Sequence, residues 1–305
     1  MSYPNEIAAS SVVGAAANGG QNEPIIACWN GVLTPKWVRF RHLLSGGGQV
    51  HSDVAFPTLP LRRGDRVLDV GCGFGETTLE LAERVGPTGS VLGLDCGRAF
   101  LAIAAEEQRA AGIENVRYWE TDVETAPLEP AGFDLAVSRF GIMFCASPVR
   151  ALRNVRVALR QGGVLGLVCW RAVTENPCWS AAETVALSHV GAPTEPVASC
   201  GPGPFALSDA ATNTRILEAA GFEDIRHRRI DRSVCVGRDL DEALAFQLTV
   251  GPAGFVVRAA GTAGVAEYPA LERDLRALLT NYQRADGSVW MDSSTWFVTA
   301  RKPAT

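Results

Sequence analysis

The stretch Asp65–Val85, DRVLDVGCGFGETTLELAERV, decides the fold. An apolar run reaches Asp69, crosses alternating glycines at Gly71, Gly73 and Gly75, and turns into an amphipathic helix. Glycines at such a strand-to-helix turn let the backbone bend tightly and let a ligand approach without interference from Cβ. The helix start behind them leaves backbone N–H groups unpaired. The spacing is GxGxG, which differs from the GxGxxG of dinucleotide sites, and no Lys-Ser or Lys-Thr follows to make a P-loop. Asp69 sharpens the choice. A carboxylate two residues ahead of the first glycine repels a pyrophosphate and attracts an ammonium or sulfonium group. At ~4 Å and an effective dielectric of ~20, unit charges interact by about 4 kcal/mol before desolvation, enough to choose between ligands.

Working outward, strand-like runs fall at Arg66–Val70, Ser90–Asp95, Val116–Glu120, Phe133–Ser138 and Val164–Trp170. Helical patterns lie between them at Thr77–Val85, Arg98–Ala111 and Val149–Leu159. Strands alternating with helices predict an α/β fold, a parallel sheet covered on both faces. Short, wholly apolar runs such as VLGLVCW fit strands buried on both sides. Two further strands are predicted at Asp224–Val236 and Thr295–Arg301, with two helices between them over 239–285.

The ends of the next strands complete the ligand. Strand two closes on Asp95, an acid placed to accept from both hydroxyls of a ribose. Strand three is followed by Asp122, placed to accept from an exocyclic adenine amine. A cationic amino-acid end, a ribose and an adenine together describe S-adenosylmethionine.

The segments VLDVGCGFGETTLELA, VLGLDCGRAFLAIAAE, TDVETAPL and FDLAVSRFGIMFCASPVRALRNVRVALRQGGVLGLVCW closely resemble, in order and spacing, the successive motifs of class I S-adenosylmethionine-dependent methyltransferases, in the UbiE-like branch. The resemblance covers about residues 24–175. It implies a Rossmann-like, seven-stranded, mostly parallel sheet with helices on both faces, an antiparallel last strand near Thr295–Arg301, and a partly helical lid. It also implies roles. Asp69 and the loop Gly71–Cys72–Gly73–Gly75 would hold the methionine end and Asp95 the ribose. Cys96 and Gly97 would line the adenosine side, while Asp122 and Val123 would meet adenine. Ser138 would sit under the methionine portion, with Arg139 and Phe140 beside it. Gly97 departs from the serine common in similar proteins, and Gln161 from a frequent turn proline.

Other residues carry open alternatives. Trp29 and Trp37 either pack the N-terminal segment on the core or close over the sulfonium by a cation–π contact, a role assigned here to Trp37. Arg139 either binds a carboxylate of cofactor or acceptor or pairs with a nearby acid. His189, like His42, falls in a segment that could border an acceptor pocket and is a candidate general base; Arg139 and His189 are the catalytic candidates.

Composition narrows the class. With 47% hydrophobic and 20% charged residues the chain reads as an ordinary globular enzyme. A formal net charge of −5 offers no basic footprint for nucleic acid. No apolar run approaches the roughly 18 residues of a membrane helix, and Met1–Ser10 lacks a signal-peptide pattern, which sets a cytoplasmic expectation. The eight cysteines are dispersed, without metal-ligand spacing, and read as reduced thiols; no metal is expected.

The organisation expected is a disordered leader (1–22), an N-terminal helical lid segment (23–61), an S-adenosylmethionine-binding core (62–170), and remaining core strands with acceptor-side lid insertions (171–305). The function expected is methyl transfer to an O, N or C nucleophile of a small, partly hydrophobic molecule, such as a hydroxylated aromatic or a natural-product intermediate of secondary metabolism. Alternatives are a peptide or quinone acceptor, a nicotinamide-dependent oxidoreductase, or a non-catalytic cofactor-binding protein. The sequence leaves the oligomeric state open.

Overall fold

The computed structural model describes residues 12–13, 22–192 and 201–304. Strands β2 (Arg66–Val70), β3 (Ser90–Asp95), β4 (Val116–Glu120), β5 (Phe133–Arg139) and β6 (Leu159–Trp170) run parallel, and β7 (Glu223–Gly237) and β8 (Val289–Arg301) complete the sheet. The order is β4-β3-β2-β5-β6-β8-β7, and β8 runs antiparallel to both its neighbours. These are the seven strands expected. A two-residue strand, β1 (Val12–Val13), adds parallel to β4 at the edge. Those two residues belong to the segment expected to be a disordered leader, and most of the remainder of that segment lies outside the described residues.

The apolar runs form strands because both faces of the sheet are covered. Leu68, Val70, Ala136, Leu165 and Leu167 belong to a core on one side with α6 (Pro148–Ala158) and α8 (Ala210–Ala219). Val67, Leu135, Val137 and Val168 belong to a core on the other, with α4 (Glu76–Val85) and α5 (Arg98–Ala111). Burying each such leucine or valine contributes about 1.5–3 kcal/mol. In α5 the buried residues Phe100, Leu101, Ala104, Ala105 and Gln108 recur at helical spacing, so one stripe meets the sheet.

The N-terminal segment is α1 (Glu23–Cys28), a π-helical turn (Trp29–Leu33), α2 (Thr34–Arg39) and α3 (Arg41–Ala55). Beyond the sheet, β7 and β8 continue as a long antiparallel ribbon. Its far end carries a third core, in which Val234, Val236 and Met291 join Phe40 and Leu43 of the N-terminal segment with α7 (Pro177–Val190), α9 (Leu240–Thr249), α10 (Pro252–Ala259) and α11 (Thr262–Thr280). Residues 239–285 thus hold three helices where two were expected, because Gly251 and Gly261 each precede a new helix start.

Cys72, Cys96, Cys145, Cys169, Cys178 and Cys235 are free thiols. Cys28 is disulfide-bonded, which departs from the expectation of reduced thiols throughout. Among the described residues no helix is long and apolar enough to cross a membrane, and no group of three or more acidic, histidine or cysteine side chains is placed to hold a metal ion.

Candidate functional site

Strand order reverses beside β2, whose neighbours are β3 on one side and β5 on the other. A cavity of about 190 Å³ opens at the carboxyl ends of these strands, the place where such sheets bind ligands. Asp69, Gly71, Cys72, Gly73, Asp95, Cys96, Asp122, Val123, Arg139 and Trp37 all line it, so the sheet gathers most of the residues singled out in the sequence.

The glycine loop owes its path to close contact. Gly71 has φ +70°, and a Cβ there would stand 2.7 Å from the Cα of Gly141, so the loops after β2 and β5 press together. Gly75 caps α4 in the left-handed region at φ +85°. It lies behind the cavity, where a Cβ would stand 2.8 Å from that of Ala104, and its part is to shape the turn.

Asp69 is 1% exposed and accepts a hydrogen bond from the Thr78 hydroxyl at 2.6 Å. Burial pushes its carboxyl up to about 6, against the Thr78 hydrogen bond and the nearby Arg139, while Asp95 and Glu76 add to the rise. Asp95 accepts from Gly97 N–H at 2.7 Å and from Gly73 N–H at 2.8 Å, which fixes its carboxylate between the two loops. Burial raises its pKa and these backbone donors oppose the rise. Asp122 accepts from Glu124 N–H at 2.9 Å and from the Asn22 side chain at 2.7 Å. The thiols of Cys72 and Cys96 are pushed well above their ordinary values, chiefly by burial, so they act as apolar lining and not as nucleophiles.

Gly75 is one of three expected site residues that stand outside the cavity lining; Ser138 and His189 are the others. Ser138 does not line the cavity. Its buried hydroxyl donates to Val70 C=O at 2.7 Å and accepts from Ile142 N–H at 3.2 Å, so it ties β2 to the turn after β5. His189 lines neither this cavity nor the larger one described below; it is held by Asp274 at 2.9 Å and Glu267 at 3.5 Å, which ties α7 to α11. The departure at Gly97 has a steric cause: a Cβ there would stand 2.5 Å from the ring of Phe100.

The N-terminal segment covers the cavity through polar ties that the sequence reading missed. Asn30 donates to Cys96 C=O at 2.9 Å and accepts from Arg98 N–H at 3.0 Å. Ser45 donates to Glu76 at 2.6 Å, and Arg139 reaches both Glu76, at 3.5 Å, and the Gln49 side chain, at 3.2 Å. Trp29 packs edge-on against Trp37, ring centroids 5.3 Å apart, and against Phe144 at 4.9 Å. Asn22 and Glu76 were legible only as ordinary polar residues, since their partners come from distant segments.

A second, larger cavity of about 620 Å³ adjoins the first. Trp37, Leu44, Gly48, Phe140 and Phe144 line both. The rest of its wall is largely apolar, including Met143, Trp170, Trp179, Phe205, Phe246 and Phe255 from four parts of the chain.

The residues of the first cavity fit S-adenosylmethionine. Its carboxylates suit an ammonium group, ribose hydroxyls and an adenine amine. The Thr77 hydroxyl and the Asn22 carbonyl oxygen line it, buried and without a hydrogen-bond partner.

Comparison with known proteins agrees. A methyltransferase-domain family model matches residues 67–163. Demethylmenaquinone methyltransferase of Staphylococcus aureus is 34% identical over 105 residues, covering 34% of this chain and 43% of the relative. The chain thus spans less than half the length of that curated relative. The YcgJ protein of Bacillus subtilis superposes with a TM-score of 0.54 at 15% identity, covering 84% of this chain and 98% of that one. Phosphoethanolamine N-methyltransferase 2 of Haemonchus contortus, solved with phosphomonomethylethanolamine and S-adenosylhomocysteine, gives 0.55 at 18% identity, covering 92% and 60%. These two likenesses concern the fold. Family match, fold and cavity chemistry agree on one conclusion: residues 67–163 form a methyltransferase domain, set in a fold and beside a cavity that fit S-adenosylmethionine.

Proposed function

We propose that the chain transfers the methyl group of S-adenosylmethionine to an oxygen, nitrogen or carbon nucleophile of a small, partly hydrophobic molecule held in the larger cavity. One observation carries this reading: the apolar cavity opens against the cofactor cavity, and five residues form a shared wall. When bound, the cofactor supplies a methyl group already activated on a sulfonium sulfur.

The residues then have the following work. Asp69, set close to Arg139 and Glu76, would orient the amino-acid end, and Asp95, fixed by two backbone donors, the ribose. Asp122, braced by Asn22, would face the adenine. Trp37 would close over the sulfonium, and the helices of 23–61 with the segments lining the larger cavity would act as a lid that excludes water. Positioning accounts for much of the rate in such a reaction, and no strong base is assigned.

A quinone-type ring is a narrower version of this reading, supported by the likeness to demethylmenaquinone methyltransferase and by the aromatic cavity wall. A radiolabelled-methyl screen against phenols, amines and hydroxylated quinones tests it. Label transfer to members of these classes, blocked by S-adenosylhomocysteine, is expected. Tight cofactor binding with no transfer to any class would favour a binding protein instead.

A further inference from the structure

Three charged residues stand among the described lining of the larger cavity: Lys36 on α2, Glu183 on α7 and Arg258 on α10. We infer that Lys36 and Arg258 form an anion-reading pair, and that the methyl acceptor is a ring compound bearing a carboxylate or similar anionic group; this rests on the reading of the cavity as the acceptor site.

Most of the wall is aromatic or aliphatic, which suits a ring system but gives it no fixed orientation. Orientation needs a polar handle. Neither Lys36 nor Arg258 makes an ion pair among the described residues, although this chain carries a net charge of −5 and pairs other arginines, such as Arg238 with Glu242 and Arg276 with Asp241. Arg258 is held by donating to Leu248 C=O at 2.9 Å, across the turn between α9 and α10. Gly254 leaves it room, since a Cβ there would stand 2.9 Å from its Nη1.

Lys36 and Arg258 lie close enough for the charge of one to act on the other, a repulsion that an anion between them would relieve. Burial lowers the pKa of Lys36 and the charge of Arg258 lowers it further, while burial lowers that of Arg258. Glu183 does not cancel them. It forms no ion pair with either cation among the described residues, and burial raises its pKa, which biases it toward the neutral form. It lies one helical turn beyond Trp179, whose indole N–H is buried without a partner in the same cavity. Val32 and Phe255, four and three residues before Lys36 and Arg258, are exposed members of the same lining.

The test compares 2-naphthoate with its neutral analogue 2-acetylnaphthalene by titration calorimetry on the full chain, in wild type, Lys36→Gln, Arg258→Gln and the double variant. Wild type is expected to prefer the acid by about tenfold, the size of one charge-assisted contact. Each single variant should lose part of that preference and the double variant nearly all, with the affinity for the neutral analogue unchanged. Equal affinities in wild type, a preference that survives the double substitution, or no binding of either probe would overturn the proposal. S-Adenosylhomocysteine titrated into the same samples reports separately on the methyltransferase reading: its failure to bind would sink that reading, and the acid preference would still be read from the naphthalene pair.

Discussion

Arg139 Nη2 lies 3.5 Å from Glu76 Oε2, and this pair joins the end of β5 to the first turn of α4 beside the cofactor cavity. The guanidinium also donates to Gln49 at 3.2 Å and packs against Gly48, where a Cβ would stand 3.2 Å from its Cζ. One side chain therefore links the sheet, the glycine-loop helix and α3.

Arg139→Ala is expected to weaken S-adenosylmethionine binding by about tenfold, the size of a lost charge-assisted hydrogen bond. It removes a positive charge beside Asp69 and frees α3 at the same time. Arg139→Lys should recover part of the loss, since an ammonium keeps the charge without the planar fork. Calorimetric titration of the three proteins reads both effects.

Asp69 makes stability and binding pull in opposite directions. Its carboxyl moves from an ordinary value of 3.8 to about 6 in the folded chain. A value raised on folding favours the folded state at low pH, and that contribution is lost as pH rises through about 6. Asp69→Asn, which can still accept from Thr78, should therefore unfold at a higher temperature than wild type at pH 8, with the difference shrinking toward pH 4. The same variant should bind S-adenosylmethionine more weakly at pH 8. Thermal denaturation across this pH range decides the first point; equal melting curves at pH 8 would contradict it.

Trp37 is one of three aromatic residues, with Phe140 and Phe144, that line both cavities. If its ring faces the sulfonium, Trp37→Ala costs about 0.5–2 kcal/mol of cofactor affinity, or roughly two- to thirtyfold in Kd. S-Adenosylhomocysteine, which lacks the positive charge, should be affected less. Equal losses for the two ligands would show that Trp37 acts by packing alone.

His189 supplies a control. It is paired with Asp274 and Glu267 and lines neither cavity. His189→Ala is expected to leave methyl-transfer rates within about twofold of wild type and to lower stability by no more than about 1 kcal/mol, the range of partly exposed ion pairs.

The sheet was legible because strand and helix periods alternate cleanly from Arg66 to Trp170, and local pattern suffices for parallel strands buried on both faces. Asp69, Asp95 and Asp122 were legible because strand ends are where such sheets place ligand contacts. Ser138 misled because its position says nothing about the direction of its hydroxyl, which Val70 and Ile142 satisfy internally. His189 misled because the ribbon β7–β8, whose length cannot be read from its two predicted cores, carries α11 and its acids over α7. The ties made by Asn22, Asn30 and Ser45 join segments far apart in the chain, so no local pattern reveals them.

Calorimetric titration of the purified chain with S-adenosylmethionine and, separately, with NADH tests the electrostatic basis of the site most directly. Carboxylates at the ends of three neighbouring strands should give saturable binding near one equivalent of S-adenosylmethionine, displaced by S-adenosylhomocysteine and abolished or strongly weakened in Asp95→Ala, with no heat from NADH. Saturable binding of NADH without binding of S-adenosylmethionine would contradict it.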